Sequence, residues 1–429
     1  MSKILNLEKL AVTDARKDAL TILEAGLQAI DTKKVMREIL NWDSESKTLC
    51  VKDTKVCFGD FEHIYCVAIG KCAREAAVVI EETLGDNLTS GIVLDVESGA
   101  FQKLISRVGT HPLPSAQNVS ATDEIMALLK EATKQDLILA VISGGGSSLL
   151  CSPYNTNCEA IASITAALMK TGANIYELNT VRKHLSTAQG GQLAKIAYPA
   201  RIIGFVFSDV LGGDLSVVAS GPFSKDLTTT DDASRILSKY NILNICQLPD
   251  CQLIETPKED EYFENTSLFL AVDNHKALEA MKIAAQKLGL DAKIETSNLY
   301  GEAREAGERL AKKILAPKQV LLFGGETTVT VHGAGTGGRN QELVLGALPF
   351  VDAKTLVLSA ASDGRDNTDA AGAIADSYSK EKARELGLDS SQFLKQNNSY
   401  EFWQKVGSQI KTGPTGSNVA DLVIVLNSD

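Results

Sequence analysis

Apolar runs that end on glycine constrain this chain most. "IYCVAIGKC", residues 64–72, is an apolar run closed by Gly70 and Lys71, and the "AREAAVVIEETL" that follows repeats apolar positions at helical spacing. "DLILAVISGGGSS", 136–148, repeats the plan, and "ARIIGFVFSDV", 200–210, supplies a third strand of this kind. A strand that is apolar throughout is covered on both faces, and helices between such strands make the sheet parallel. The pattern predicts an α/β fold whose large domain is a doubly wound, mostly parallel, Rossmann-like sheet.

A single core stops growing near ~250 to 300 residues, so a chain of 429 is expected to form two domains. The proline- and carboxylate-rich "ICQLPDCQLIETPKEDEYFENTS", 245–267, marks the expected division. It gives an N-terminal domain of 1–245 and a smaller C-terminal α/β domain of 246–429, with a return of the last strand to the first domain left open. In the second domain strands are expected at "LFLAV" (268–272, before a helix capped by Asp273 or Asn274), at "QVLLFGGE" (319–326) and at "TLVLSAASDG" (355–364). An amphipathic helix begun by Thr13 or Asp14 opens the chain.

A net charge of −11 argues against an extended nucleic-acid surface, which needs clustered Lys and Arg. Any anion must be met by a few focused basic groups and backbone N–H donors. The 8 cysteines include no C-x-x-C pair and no zinc-site spacing, so they read as small buried apolar residues. There is no apolar run of about 18 residues, and charges begin at Lys3, so neither a membrane span nor a secretory signal is expected. A reducing cytoplasm fits this reading.

In parallel sheets ligands sit beyond the carboxyl ends of the strands, which directs attention to the loops there. Gly144, Gly145 and Gly146 let backbone N–H groups approach a ligand, and Ser147 and Ser148 add hydroxyls, together a cradle for a carboxylate or phosphate. A tight turn is the plainer account of a glycine triplet. The triplet is not G-x-S-x-G, which removes the main support for a serine hydrolase. Lys71, just past a buried strand, is placed to meet an anion. "NTVRKHLSTAQGG", 179–191, offers Arg182 and Lys183 for the same purpose.

"FSDVLGGDLSVVASGP", 207–222, ends a strand on Asp209, a candidate metal ligand or proton acceptor, although Asp209 and Asp214 also suit turn caps. "FGGETTVTVHGAGTGGRNQEL", 323–343, holds Gly333, Gly335 and Gly338 at G-x-G-x-x-G spacing. The alternating Thr-Val-Thr-Val before it suits a half-exposed strand rather than the buried one of a dinucleotide site. Gly337 and Gly338 instead place Arg339 to fork onto phosphate oxygens. "SDGRDNTDAAG", 362–372, collects Asp363, Asp366 and Asp369, a set that suits Mg²⁺, with Asp363 as the candidate ligand beside Asp209. No G-x-x-x-x-G-K-[ST] loop occurs, so an ATP site must be built differently.

In chain order, "GKCAREAA", "THPLPS", "SGGGSS", "NTVRKHLS", "SDVLGGD", "ASGP", "GGRNQEL", "TDAAGA" and "GPTGSNVADL" run from Gly70 to beyond Asp421. This ordered series resembles the glycerate 2-kinase family. The resemblance implies a large N-terminal α/β domain and a smaller C-terminal domain of the MOFRL type. It also implies ATP- and Mg²⁺-dependent phosphorylation of D-glycerate at the 2-hydroxyl, giving 2-phosphoglycerate and ADP in an interdomain cleft. By position, Lys71 and Arg339 match the family's functional lysine and arginine, and the "SGGGSS" and "SDVLGGD" loops match its ligand-facing loops. Where the family reads TDG-x-DGPTDAAG, this chain lacks the Gly-Pro pair and carries Arg365, which leaves this loop's role less defined. Two other readings stay open: an NAD(P)-dependent hydroxypyruvate reductase and a non-catalytic binder of small organic acids.

Overall fold

A computed structural model describes residues 2–51, 54–208, 214–248 and 251–428. The chain divides into two compact units, Thr32–Ala271 and Met1–Asp31 with Val272–Asp429.

The unit of 32–271 carries a small antiparallel sheet of β1 (Asn41–Asp43), β2 (Thr48–Val51) and β3 (Thr54–Cys57). Its main sheet uses β4 (His63–Ile69), β5 (Ser90–Asp95), β6 (Leu104–Val108), β7 (Asp136–Ser143), β8 (Arg201–Phe207) and β9 (Thr266–Val272) in the order β6-β5-β4-β7-β8-β9. The pairs β4/β5, β5/β6, β4/β7 and β7/β8 are all parallel. Every residue of β7 is buried, which is why its sequence is apolar without alternation. The helix Ala73–Leu84 buries Ala76, Ala77 and Ile80 on one stripe, while Ile125 and Leu129 of Ala116–Lys130 and Leu193 of Gln192–Ala197 join the sheet's core.

Strand order runs outward through β5 and β6 on one side of β4, and through β8 and β9 on the far side of β7. The direction of winding reverses between β4 and β7, and in doubly wound sheets that switch point opens the ligand crevice at the carboxyl ends. Here those ends are Ile69 and Ser143, followed by Gly70-Lys71 and by the glycine triplet.

In the other unit β10 (Asp291–Leu299), β11 (Gln319–Gly325), β12 (Thr355–Ala361), β13 (Gly372–Ala375), β14 (Gln409–Ile410) and β15 (Asp421–Asn427) are ordered β10-β11-β15-β12-β13-β14. Only β10/β11 is parallel among the registered pairs; the rest are antiparallel. The helix Asp14–Ala29 belongs to this unit, with Thr13 as its cap, accepting from the Arg16 N–H. Arg16 is buried and grips Asp376 through two hydrogen bonds of 2.7 and 2.8 Å, tying the start of the chain to its end.

These units differ from the expected 1–245 and 246–429. The 245–267 stretch stays on the first unit, where the Ile254 N–H donates to the His184 carbonyl and Gln192 donates to the Glu255 carbonyl. The strand after it, β9, completes the first sheet rather than opening a second. The first 31 residues cross to the other unit. The last strand stays in that C-terminal unit, between β11 and β12. The Thr-Val-Thr-Val run forms no strand: Thr328 makes a single bridge to Glu302. Among the described residues no helix is long and apolar enough to cross a membrane.

Candidate functional site

The two loops at the switch point are locked together. The Lys71 N–H donates to the Gly144 carbonyl (3.0 Å), the Cys72 N–H to the Ser143 hydroxyl (3.1 Å), and that hydroxyl to the Ile69 carbonyl (3.3 Å). Gly70 has φ +115°, and a Cβ there would collide with the hydroxyl and carbonyl oxygens of Ser143, so this close approach requires glycine. Gly145, at φ +82°, begins the short helix Gly146–Leu149 and lies under the Lys71 side chain, whose Cγ would sit 3.1 Å from a Cβ placed on it. Lys71 and the triplet therefore share one place.

Behind the triplet, Asn118 is fully buried and fixes the loop. Its amide donates to the Ser148 and Thr110 carbonyls (3.0 Å each) and its oxygen accepts from Thr110 and Ser115, joining the "THPLPS" segment to the glycine loop. Gln189 donates to the Ser147 and Leu150 carbonyls, both at 3.0 Å. The Ser147 hydroxyl meets that of Ser220 at 3.1 Å, and Ser220 donates to Asn179.

Ser147, Ser148, Gln189 and Cys151 line a small cavity of ≈ 40 Å³ together with Thr165 and Arg182. Arg182 lies in the last turn of the helix Ile175–His184, which starts with a reciprocal cap between Asn174 and Glu177. Its Nε donates to the Thr165 hydroxyl at 3.4 Å, and no carboxylate among the described residues lies within ion-pair reach. Burial alone acts on it, pulling the guanidinium from its ordinary value down to about 10. Lys183, expected beside Arg182 as an anion ligand, points elsewhere. It forms a buried ion pair with Asp226 at 3.1 Å. Burial by itself would raise the Asp226 carboxyl, but Lys183, Thr228 and Lys258 hold it below its ordinary range. The Lys183 charge is thus already matched.

Arg339, Gly337 and Gly338 stand in the other unit, with Asp363. The Arg339 guanidinium is bidentate to Asp421 (2.6 and 3.1 Å) and also contacts Glu326. Burial opposes its charge, but the two carboxylates outweigh burial and raise its pKa. The N-terminus of the helix Arg339–Ala347 is not open to a phosphate, because Asp366 occupies it. The Asp366 carboxylate accepts from the N–H groups of Asn340 (3.0 Å) and Gln341 (2.8 Å). Gly338 is required because a Cβ would strike Asp366, and Gly337 packs against Ser399. The G-x-G-x-x-G spacing is therefore explained by close backbone contacts, with Gly333 and Gly335 against Gln396. Gly337 and Gly338 are thus required by close backbone packing, whatever their N–H groups meet.

The three aspartates of 362–372 diverge. Asp366 caps the helix, Asp369 meets Tyr400 (2.7 Å) and Lys411 (2.8 Å), and Asp363 accepts from the Arg365 N–H (2.9 Å). Among the described residues no group of three His, Cys, Asp or Glu side chains is placed to hold a metal ion. Asp209, the other expected metal ligand and proton acceptor, lies outside the described residues. Asp214 accepts from the Ser216 N–H and hydroxyl, a turn cap.

Sequence reasoning did not single out Asn118, Gln189, Asp226, Glu326 or Asp421. Asp421 falls inside a motif quoted for the resemblance, and Gln189 lies three residues past the end of another. The Lys183 partner of Asp226 and the Ser148 partner of Asn118 are 43 and 30 residues away in sequence, so neither long-range contact has a local signal.

Residues 18–249 match the domain of unknown function DUF4147, and residues 319–421 match the MOFRL family. The D-glycerate 2-kinase of Thermotoga maritima is 38% identical over 86% of this chain and 91% of its own. A relative from Agrobacterium vitis, named provisionally as a hydroxypyruvate reductase, is 36% identical over 84% of this chain and 86% of its own. A crystal structure of glycerate kinase from Thermotoga maritima superposes with a TM-score of 0.80 at 34% identity, covering 96% of this chain and 99% of that one. The fold and its switch-point loops are those of an α/β enzyme. The chain belongs to the glycerate 2-kinase family.

Proposed function

We propose that this enzyme phosphorylates D-glycerate at its 2-hydroxyl with ATP, giving 2-phosphoglycerate and ADP. The observation that carries the reading is Arg182: a desolvated guanidinium without a carboxylate partner among the described residues, opening on a cavity shared with Ser147 and Ser148. A buried charge is costly until an anion joins it, so the site favours a small carboxylate. Arg182 takes the glycerate carboxylate as a planar fork, and the serine hydroxyls orient it. Lys71, over Gly145, neutralises charge on the moving phosphoryl group, since such transfer depends on positioning and electrostatics rather than covalent chemistry. Asp209 retains its sequence-based role of orienting the hydroxyl and accepting its proton. Arg339 reaches a phosphate by exchanging Glu326, the more exposed of its two partners, while Asp421 keeps holding it.

Mg²⁺ enters as the counter-ion of the ATP substrate. The reductase reading loses support because the G-x-G-x-x-G loop follows no strand and its helix start is filled by Asp366. The deciding experiment incubates the protein with ATP, Mg²⁺ and D-glycerate and identifies the product by phosphorus NMR. Appearance of 2-phosphoglycerate supports the proposal, and 3-phosphoglycerate rejects its regiochemistry. Oxidation of NAD(P)H by hydroxypyruvate would carry the reductase instead, and glycerate-induced stabilisation without turnover would carry a binding protein.

A further inference from the structure

Two of the eight cysteines stand apart from the rest. The Cys151 and Cys158 sulfurs are 2.9 Å apart, both side chains are buried, and neither is bonded to the other. A disulfide needs a separation of about 2.05 Å, so the pair is already within about 1 Å of bonding distance. Their places in the fold give such a bond a consequence. Cys151 follows the glycine-serine loop directly, is anchored by its N–H donating to the Thr122 hydroxyl (3.0 Å), and lines the Arg182 cavity. Cys158 is the first residue of the helix Cys158–Lys170, and that helix also lines the cavity through Ile161 and Thr165. Thr165 is also the residue that accepts from Arg182. The two sulfurs therefore lie where two lining segments of the cavity meet.

We propose that Cys151 and Cys158 form a reversible disulfide site that staples the Arg182 cavity and weakens glycerate binding when closed. The clause on glycerate rests on the function proposed above; the bond itself does not. A peroxide is the oxidant. One thiolate attacks an oxygen of hydrogen peroxide, the O–O bond breaks, and a sulfenic acid and water form. The second thiol attacks that sulfur, the S–O bond breaks, an S–S bond forms, and a second water leaves with the proton. Two thiols lose two electrons in total and one peroxide becomes two waters. A dithiol reductant reverses the reaction by exchange. Burial, and then the contact with Cys158, raises the Cys151 thiol above its ordinary range, so its thiolate is scarce and its oxidation slow. Closing the bond draws the start of the helix toward residue 151, narrowing the space beside Arg182.

The test treats the whole protein with hydrogen peroxide, alkylates remaining thiols and digests with trypsin. Residues 135–170 form one peptide containing these two cysteines alone. The expected result is an unalkylated peptide lighter by about 2 Da, restored to the doubly alkylated form by dithiothreitol. A doubly alkylated peptide under conditions that fully oxidise the exposed Cys57 overturns the proposal. With the bond closed, the KM for D-glycerate should rise roughly threefold or more, reversibly, and Cys158→Ser should show no such oxidant-dependent rise. A closed bond with an unchanged KM overturns the staple. Absence of kinase turnover leaves the mass result standing and counts against the proposed function instead.

Discussion

Lys183 and Asp226 pair at 3.1 Å with both side chains buried, while Arg182, one residue earlier, faces a cavity with no carboxylate in reach among the described residues. Adjacent basic residues thus have opposite energetics. Replacing Lys183 by Ala leaves Asp226 buried and short of its main partner, a loss of about 3 kcal/mol, moderated by Lys258 at 3.9 Å. Replacing Arg182 by Ala removes an unmatched, half-buried charge and should cost little stability. It should raise the KM for D-glycerate about 10- to 100-fold, the effect of losing a charged hydrogen bond of about 1.5 to 3 kcal/mol. Urea unfolding and steady-state kinetics on the two variants separate these outcomes; a KM effect confined to Lys183→Ala would reverse the assignment.

Gly70 and Lys71 make a second contrast. Gly70→Ala places a Cβ against the backbone of Ser143 at a φ of +115°, so it should destabilise the protein by about 3 kcal/mol or more. Lys71→Ala asks nothing of the backbone and should shift the melting temperature little, while lowering kcat about 100-fold or more. Near-normal turnover in Lys71→Ala would exclude it from the phosphoryl site.

Arg339 and Asp421 are expected to couple. Asp421 is almost fully buried on β15, so Arg339→Ala strands a carboxylate, whereas removing both groups leaves no unmatched charge. In a double-mutant cycle to Ala the coupling energy should be about 1.5 to 3 kcal/mol, read from urea unfolding. A coupling near zero would mean that Glu326 alone holds the arginine.

Much of this was legible in the sequence, for identifiable reasons. Strands β4, β7 and β8 announce themselves because both faces are covered, and the glycines at 70 and 144–146 mark the turns that follow. The cap at Thr13 and the cap at Asp273 are local chemistry, and both form. Sheet membership was not legible. "LFLAV" reads identically whether it ends one sheet or begins another, and it ends the first. The partners of basic residues were hidden too. Nothing near Lys183 foretells Asp226, and nothing near Gly338 foretells that Asp366 fills the helix start which the glycine loop, in sequence, offers to a phosphate.

Asp366 yields a pH dependence with a defined sign. Its carboxylate caps the helix Arg339–Ala347, yet burial, ahead of the opposing hydrogen bonds from Gln341 and Asn340 and with added repulsion from Asp421, raises it from 3.8 to about 6. Between these values the folded protein keeps a proton that the unfolded chain has released. The bound-proton difference is then negative on unfolding, so stability falls as pH rises from about 4 to about 6, by about 3 kcal/mol at most. Carboxylates held low, such as Asp369 against Lys411 and Tyr400, act in the opposite direction but below about pH 4, outside this window. Trp403, whose indole N–H donates to the Gln341 carbonyl at 2.9 Å, reports on this helix, and Trp42→Phe removes the other tryptophan. Urea midpoints from Trp403 fluorescence should fall between pH 4.5 and pH 7. In Asp366→Asn the slope over this interval should shrink, leaving the part due to Asp95, whose carboxyl burial also raises; an equal slope in that variant would assign the proton to another residue.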